Sequence, residues 1–460
     1  MADGPQLIEE MQEEDYALDR DVVTTLYDAL DADDPALVAE ILEPMHPADI
    51  ADLFEQIGSQ RLRALLEIWT SDEVGAVLSE LDEGLREEVI DALPKTVLAD
   101  AVRDLESDDV VDLLEDLDAE QQSAILDVLE APDRVAVEQS LQYPEYSAGR
   151  LMQRELVMTP EHWTVGQAID HIRAEEDLPE QFYHIILVDP RMRPTAYVTL
   201  GRMLGARREV PLLDLTEDTF RTIPVTQPES DVAYAFNQYH LISAPVVDAD
   251  DRLVGVITID DAMVVLDEEH NEDILRLAGV GDESVSDTTW DITKQRFPWL
   301  GVNLLTAIIA SLVISLFEDV ISQVVALAVL MPIVASMGGN AGTQSLTVAV
   351  RAIATKDLTG SNAWRVLRRE VMASTLNGVV FAAVMGAVSL VWFGTPVLAL
   401  VIAVAMVVNL AVAGFAGLLI PLALDKLGID PALASGTFVT TVTDVVGFFV
   451  FLGFASMILL

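Results

Sequence analysis

The chain has 460 residues, 51% of them hydrophobic, yet it carries a formal net charge of −50 and a sequence pI near 4.1. As a soluble protein that length would make roughly three domains at ~150 residues each. Only seven acids and six bases lie in residues 297–460, so the remaining 69 acids and 20 bases crowd residues 1–296. A very acidic soluble region is therefore joined to a nearly uncharged apolar one. The acidity excludes nucleic acid as a partner, because a phosphate polyanion would be repelled. The absence of cysteine excludes disulfides, thiol catalysis and iron–sulfur clusters. Abundant Asp and Glu with only four lysines is a halophilic pattern, a hydrated acidic surface suited to salt. At roughly 1 M salt the Debye length is about 3 Å, so only local carboxylate clusters act. The N-terminal stretch is acidic and has no apolar h-region, so no signal peptide is expected and the acidic region stays in the cytoplasm.

Residues 1–144 read as an acidic domain of helical repeats. Between residues 38 and 129 an apolar i, i+3, i+4, i+7 pattern recurs every twelve residues, as in Ile50-Leu53-Phe54-Ile57 and Leu62-Leu65-Leu66-Trp69. Each unit is a helix of about two turns with one apolar face. Ser71-Asp72 and Ser107-Asp108 are expected to cap two of them. Helices this short cannot stand alone, so they are predicted to stack into a small superhelix.

From residue 145 the periodicity changes. The segment 164–173 is an amphipathic helix, followed by strands at 184–189 and 195–200; the same order returns at 231–236, 244–248 and 252–259. The phrase APVVDADDRLVGVITIDDAM resembles a CBS domain, with 145–207 as a diverged first module and 208–268 as the second. Paired CBS modules usually regulate something else, and their usual ligands are adenosine nucleotides. Thr258-x-x-Asp261 matches the pattern that holds ribose in nucleotide-binding pairs, whereas the first module has Thr199-x-x-Arg202. The resemblance allows ATP or another adenosine nucleotide at Thr258 and Asp261.

Residues 297–460 divide into five apolar stretches, 297–317, 320–350, 371–394, 395–424 and 431–460, each long enough to cross a bilayer core of about 30 Å. Several are so long that tilt, bending or a broken helix is expected. Arg351, Lys356, Arg365, Arg368 and Arg369 lie between the second and third stretches, and Lys426 between the fourth and fifth. The positive-inside rule puts those loops in the cytoplasm, the N-terminal region inside and the C-terminus outside. Asp444 lies about 20 Å into the fifth stretch at about 1.5 Å per residue, with no base at that depth. An intramembrane carboxylate is by default a functional candidate, and hard oxygen ligands suit Mg²⁺ or Ca²⁺. A protonated or hydroxyl-bonded Asp444 beside Thr440, Thr441 and Thr443 is the structural alternative. In the second stretch, Pro332 and the glycines of MPIVASMGGNAGTQ are expected to open the helix and free backbone carbonyls.

PIVASMGGNAGTQ and DPALASGTFVTTVTDVVGF together resemble the MgtE family of magnesium channels, as do HPADIADLFEQI, SAGRLM and LDEEHNED in the same order. The resemblance covers nearly the whole chain. It implies a multidomain fold: an all-α superhelical N-terminal domain, an α/β CBS pair, a connecting helix at 269–296 that plugs the pore, and a five-span α-helical membrane domain. It further implies a homodimer in membrane lipid with one pore between spans two and five, passing largely hydrated Mg²⁺. Asp444 would be the pore carboxylate, with Asn340 and Gly447 lining nearby. Cytosolic Mg²⁺ would be sensed by carboxylates matching Asp108, Asp261, Glu269, Glu272, Asp273 and Asp430. Where family members can carry further carboxylates this chain has Ala76, Ser230, His240 and Val264. A membrane metalloprotease with CBS domains is excluded, since all six histidines precede residue 297 and no HExxH occurs. The rival reading is a CBS-regulated secondary carrier for another cation or solute, with Asp444 as its coupling site.

Overall fold

The computed structural model describes residues 20–459, apart from 70, 72, 104, 116, 118, 176, 177, 180, 218, 219 and 281–288. The chain divides into two compact units, at Asp267 and Glu268.

Among its described residues the first unit opens with ten helices: α1 Arg20–Asp31, α2 Pro35–Leu42, α3 Pro47–Gln56, α4 Ser59–Ile68, α5 Val74–Ser79, α6 Glu83–Ala92, α7 Lys95–Arg103, α8 Ser107–Glu115, α9 Ala119–Leu126 and α10 Ala131–Ser140. Starts at 47, 59, 83, 95, 107, 119 and 131 keep the twelve-residue period. The apolar faces that define the period close over one core, in which Leu53, Phe54, Leu62, Leu65, Val77, Leu78, Val102 and Leu114 are buried. Phe54 meets Trp69 edge to face with ring centroids 5.5 Å apart. Of the two expected caps, the Ser71 hydroxyl accepts from the Glu73 N–H at 3.1 Å, while Asp72 lies outside the described residues. Ser107 does not cap α8: its hydroxyl donates to Glu155 Oε2 at 2.8 Å and accepts from the Arg154 N–H at 2.8 Å. A tertiary partner has replaced the local one.

A short helix α11 Ala148–Leu151 leads to the two α/β modules, which have the same build. In the first, β1 Met158–Pro160 pairs parallel with β2 His184–Val188, which pairs antiparallel with β3 Pro194–Thr199. In the second, β4 Ile223–Pro224, β5 Ser243–Val247 and β6 Leu253–Thr258 repeat that order. Helices α12 Val165–Ala174 and α14 Glu229–Tyr239 pack on the sheets; α13 Leu200–Gly205 follows β3. The modules are joined by a shared apolar cluster of Ile186, Val188 and Val256 and by His184 Nδ1 against Ser243 Oγ at 2.6 Å. The parallel strands β1 and β4 were absent from the sequence reading. At three and two residues they carry no periodicity.

Helix α15 runs without interruption from Ile259 to Leu277. The boundary expected at 268/269 therefore falls inside a helix. The connecting segment is not one helix over its described residues either, because Gly279 takes φ +74 and the next helix, α16, starts at Thr289 and continues to Ser315 through Pro298. The expected connecting helix falls partly on residues 281–288, outside the described residues.

Among its described residues the second unit contains five helices long and apolar enough to cross a membrane: α16, α18 Ala326–Ala354, α19 Ala363–Phe393, α20 Pro396–Lys426 and α21 Pro431–Leu459, with the short α17 Glu318–Gln323 before α18. The third starts at Ala363, ahead of the expected 371, because a helix continues through charged residues into the aqueous layer while a hydropathy reading stops at them. Helix α20 packs against α18, α19 and α21, burying Val401, Ile402, Ala405, Asn409 and Ala413. Leu304, Leu312, Leu376 and Val391 leave apolar faces outward on α16 and α19, as lipid contact requires. The expected opening at Pro332 is not observed: α18 is continuous through Pro332, Gly338, Gly339 and Gly342. Its glycines serve close approach instead. A Cβ on Gly342 would stand 2.5 Å from Val439 Cγ1, and one on Gly417 would stand 2.7 Å from the Gly342 carbonyl.

Candidate functional site

Three groups of expected site residues take shape, one within the membrane helices and one in each unit's aqueous part. Asp444 lies half-buried on α21. The hydroxyls expected to hold it are engaged by their own helix. Thr440 donates to the Gly436 and Thr437 carbonyls, Thr441 to Thr437 and Thr443 to Thr440, all between 2.6 and 3.0 Å. Among the described residues no hydrogen bond or ion pair engages the Asp444 carboxylate. On α18, Asn340 is exposed and its Nδ2 lies 3.5 Å from Ser336 Oγ. Gly447 is buried and its Cα faces Asn409 of α20. The two remaining oxygen-bearing side chains, Asn340 and Asp444, thus have lone pairs to offer a cation.

The first unit brings Asp108 and Asp261 together, and with them Glu106, Asp109, Glu155 and Asp260. Asp108, only 8% exposed, sits in the first turn of α8. Asp261 stands in the first turn of α15, where its Oδ2 accepts from Thr258 Oγ1 at 2.5 Å and Thr258 N at 3.3 Å. Burial, and then the charge of Asp261, push Asp108 well above the usual carboxylate range. Burial and neighbouring acids raise Glu106 and Asp109 to about 7 and Asp261 to about 6. Arg86 stands close enough to Asp109 to offset part of that rise but does not overcome it. Sequence reasoning missed Glu106, Asp109, Glu155 and Asp260, because nothing in the order of an acid-rich chain singles them out.

The third group lies where α15 meets the start of α21. Glu269, Glu272 and Asp273 line α15, and Asp430 caps α21 by accepting from the Ala432 N–H at 2.8 Å. Burial first, then the charges of Asp273 and Asp430, raise the Glu269 pKa; burial and Asp430 raise that of Asp273. The sequence reading missed Arg276, whose guanidinium lies 2.6 Å from Glu272 and 3.1 Å from Asp430. The next residue, Leu277, packs against Leu346, Val350, Ala432 and Val439, so the end of α15 rests on the C-terminal end of α18 and the N-terminal part of α21. Among the described residues no three carboxylates or histidines close round one point as a cage for a bare ion.

Three family models match the chain: the divalent cation transporter model MgtE over residues 331–454, the MgtE intracellular N domain over 45–146, and a CBS domain over 214–268. The magnesium transporter MgtE of Enterococcus faecalis is 34% identical over 315 residues, covering 68% of this chain and 70% of that one. The magnesium transporter MgtE of Thermus thermophilus is 32% identical over 323 residues, covering 69% and 71%. Among solved structures, the cytosolic domain of the Mg²⁺ channel MgtE in complex with ATP is 28% identical and covers 53% of this chain and 99% of that one, with a TM-score of 0.49. With an intracellular helical N domain, a CBS pair and five membrane helices, the chain belongs to the MgtE family of magnesium transporters, which are multi-pass membrane transport proteins and not enzymes.

Proposed function

We propose that Mg²⁺ crosses the membrane along a path lined by α18 and α21, with Asp444 as the carboxylate that draws the ion in and Asn340 beside the path. The observation that carries this reading is the unpartnered Asp444 carboxylate on a membrane helix. A charge so placed is costly unless an ion compensates it. Gly447 contributes by letting α21 approach α20. The path belongs to a homodimer, with the acidic domains in the cytoplasm and the C-terminus outside, as the basic loop between α18 and α19 suggests.

Cytosolic Mg²⁺ closes this path. Asp108 and Asp261 in one cluster, and Glu269, Glu272, Asp273 and Asp430 in the other, repel one another when no cation lies between them. Because α15 carries Asp261 at its start and Glu269, Glu272 and Asp273 further along, one helix answers to both clusters. Its end rests on the two path helices through Leu277, which supports the route from sensor to gate. A cation that bridges these carboxylates binds the closed arrangement better and shifts the population toward it. Thr258 and Asp261 have a second role in holding the ribose of an adenosine nucleotide such as ATP. Their 2.5 Å bond brings a hydroxyl and a carboxylate to one place, the pair a ribose diol needs.

The test is flux of Mg²⁺ through purified protein in liposomes, with and without a proton gradient. Asp444→Asn keeps size and removes the charge that offsets ion desolvation. Inserted protein with Mg²⁺ flux almost abolished is expected, and wild-type flux in that variant removes Asp444 from the path. Flux that collapses without the proton gradient favours the secondary carrier instead.

A further inference from the structure

Asn409 is a polar residue fully buried near the middle of α20, the helix enclosed by α18, α19 and α21. Its Nδ2 donates to the Val334 carbonyl of α18 at 2.8 Å. Its Oδ1 is buried and has no hydrogen-bond partner among the described residues. Two glycines face the carboxamide from opposite helices. A Cβ on Gly447 of α21 would stand 2.8 Å from Nδ2 and 3.1 Å from Oδ1, and one on Gly338 of α18 would press on the same amide. Either methyl would force the amide or a helix to move.

A leucine of similar size would fill this space without leaving a buried acceptor unpaired. An unsatisfied polar group inside a membrane bundle is a cost that calls for an explanation. The geometry supplies one. Gly338 lies two residues from Asn340 and Gly447 three from Asp444, about 3 Å and about 4.5 Å along their helices. The amide is therefore a spacer set at the level of both path residues and locked in place by its bond to Val334.

We propose that Asn409 is a positioning residue of the ion path: wedged between Gly338 and Gly447, it fixes the separation of the helices bearing Asn340 and Asp444 and so the discrimination of Mg²⁺ from the larger Ca²⁺. The inference rests on the reading of Asn340 and Asp444 as path residues. Mg²⁺ demands a near-ideal octahedral shell, whereas Ca²⁺ accepts variable and longer coordination. A path held at fixed width by a rigid wedge favours the first ion, and one free to relax admits the second.

The experiment compares Mg²⁺ and Ca²⁺ flux through the full-length protein in liposomes for wild type, Asn409→Ala, Gly447→Ala, the double variant and Asp444→Asn. Asn409→Ala is expected to lower the Mg²⁺-to-Ca²⁺ flux ratio by about tenfold, since sub-ångström placement governs such sites. Gly447→Ala is expected to lose flux, and the double variant to regain part of it because the truncated wedge leaves room for the new methyl. A wild-type ratio in Asn409→Ala, with Asp444→Asn inactive, overturns the inference and leaves the path assignment standing. Should Asn409→Ala fail to insert, wild-type flux and ratio in Gly447→Ala overturn it equally. Wild-type flux through Asp444→Asn overturns the path assignment itself, whatever the ratio in Asn409→Ala.

Discussion

The crowded carboxylates around Asp108 should make the protein less stable as pH rises in the absence of Mg²⁺, and Asp261→Asn should reverse part of that loss. A carboxylate whose folded pKa is raised costs nothing below its ordinary value, where both folded and unfolded states hold the proton. Stability then falls from the ordinary 3.8 through about 6 for Asp261, and on to about 7 for Glu106 and Asp109. At about 1.4 kcal/mol per pH unit, the rise at Asp261 corresponds to about 3 kcal/mol against its ionised form. Sharing among coupled neighbours and screening by salt reduce that to about 1–2 kcal/mol for the single variant. Asn keeps an oxygen to accept from Thr258, so the local turn survives. In EDTA at pH 8, Asp261→Asn should melt above wild type by a few degrees, at about 2–4 °C per kcal/mol. At pH 4 the difference should vanish. Millimolar-scale Mg²⁺ should raise the melting temperature of wild type at pH 8 more than that of the variant. A variant that melts at or below wild type in EDTA at pH 8 would refute the reasoning, because relief of repulsion could not then be the dominant effect.

Two further expectations follow from other parts of the molecule. Arg276→Gln frees Glu272 and Asp430 from their built-in counter-charge, so closure should occur at about two- to fivefold lower Mg²⁺, the scale of partly exposed ion pairs; an unchanged Mg²⁺ dependence of flux would show that the guanidinium does not compete with the ion. The chain has no cysteine, so single Lys356→Cys and Thr395→Cys variants in intact cells read the topology directly: a membrane-impermeant thiol reagent should label the second and spare the first, and the opposite pattern would invert the assigned orientation.

The twelve-residue period of the N-terminal domain was legible because a two-turn helix writes its buried face straight into the sequence, as Leu53, Leu62 and Leu65 do. The module strands β2, β3, β5 and β6 were legible for the same reason, while β1 and β4 owe their existence to distant partners, Met158 to Ile186 and Ile223 to Val246. Asp444 stood out because an isolated charge in an apolar run is rare. Glu106 and Asp109 did not, since burial singles them out and burial is not written locally. The glycines of α18 were read as helix breakers. Gly338 and Gly342 are instead points of close approach, and only the neighbouring helices reveal that Asn409 and Val439 lie opposite. Arg276 and Asp430, 154 residues apart, could not have been paired from the sequence.

That last pairing separates two clusters that the sequence alone treats alike. Around Asp108, Arg86 offsets part of the charge of Asp109 and Arg154 faces Glu155, yet burial and mutual repulsion still hold Asp108 and Asp261 raised. On the proposed reading their charge is relieved by protons or by a divalent cation, and the cluster should feel both pH and Mg²⁺. Between α15 and α21 Arg276 already supplies one positive charge within 3.1 Å of two carboxylates. A cation arriving there competes with a guanidinium held on the same helix, at an effective concentration no ion in solution matches, so the second cluster should respond at higher Mg²⁺ than the first. Monovalent salt screens both and bridges neither, so KCl at equal ionic strength should leave the order of the two responses unchanged. On the proposed reading, a transporter closed by its own cargo would gain range from such a pair: the cluster around Asp108 would start the closure, and the cluster with the built-in cation at Arg276 would complete it only when Mg²⁺ is plentiful.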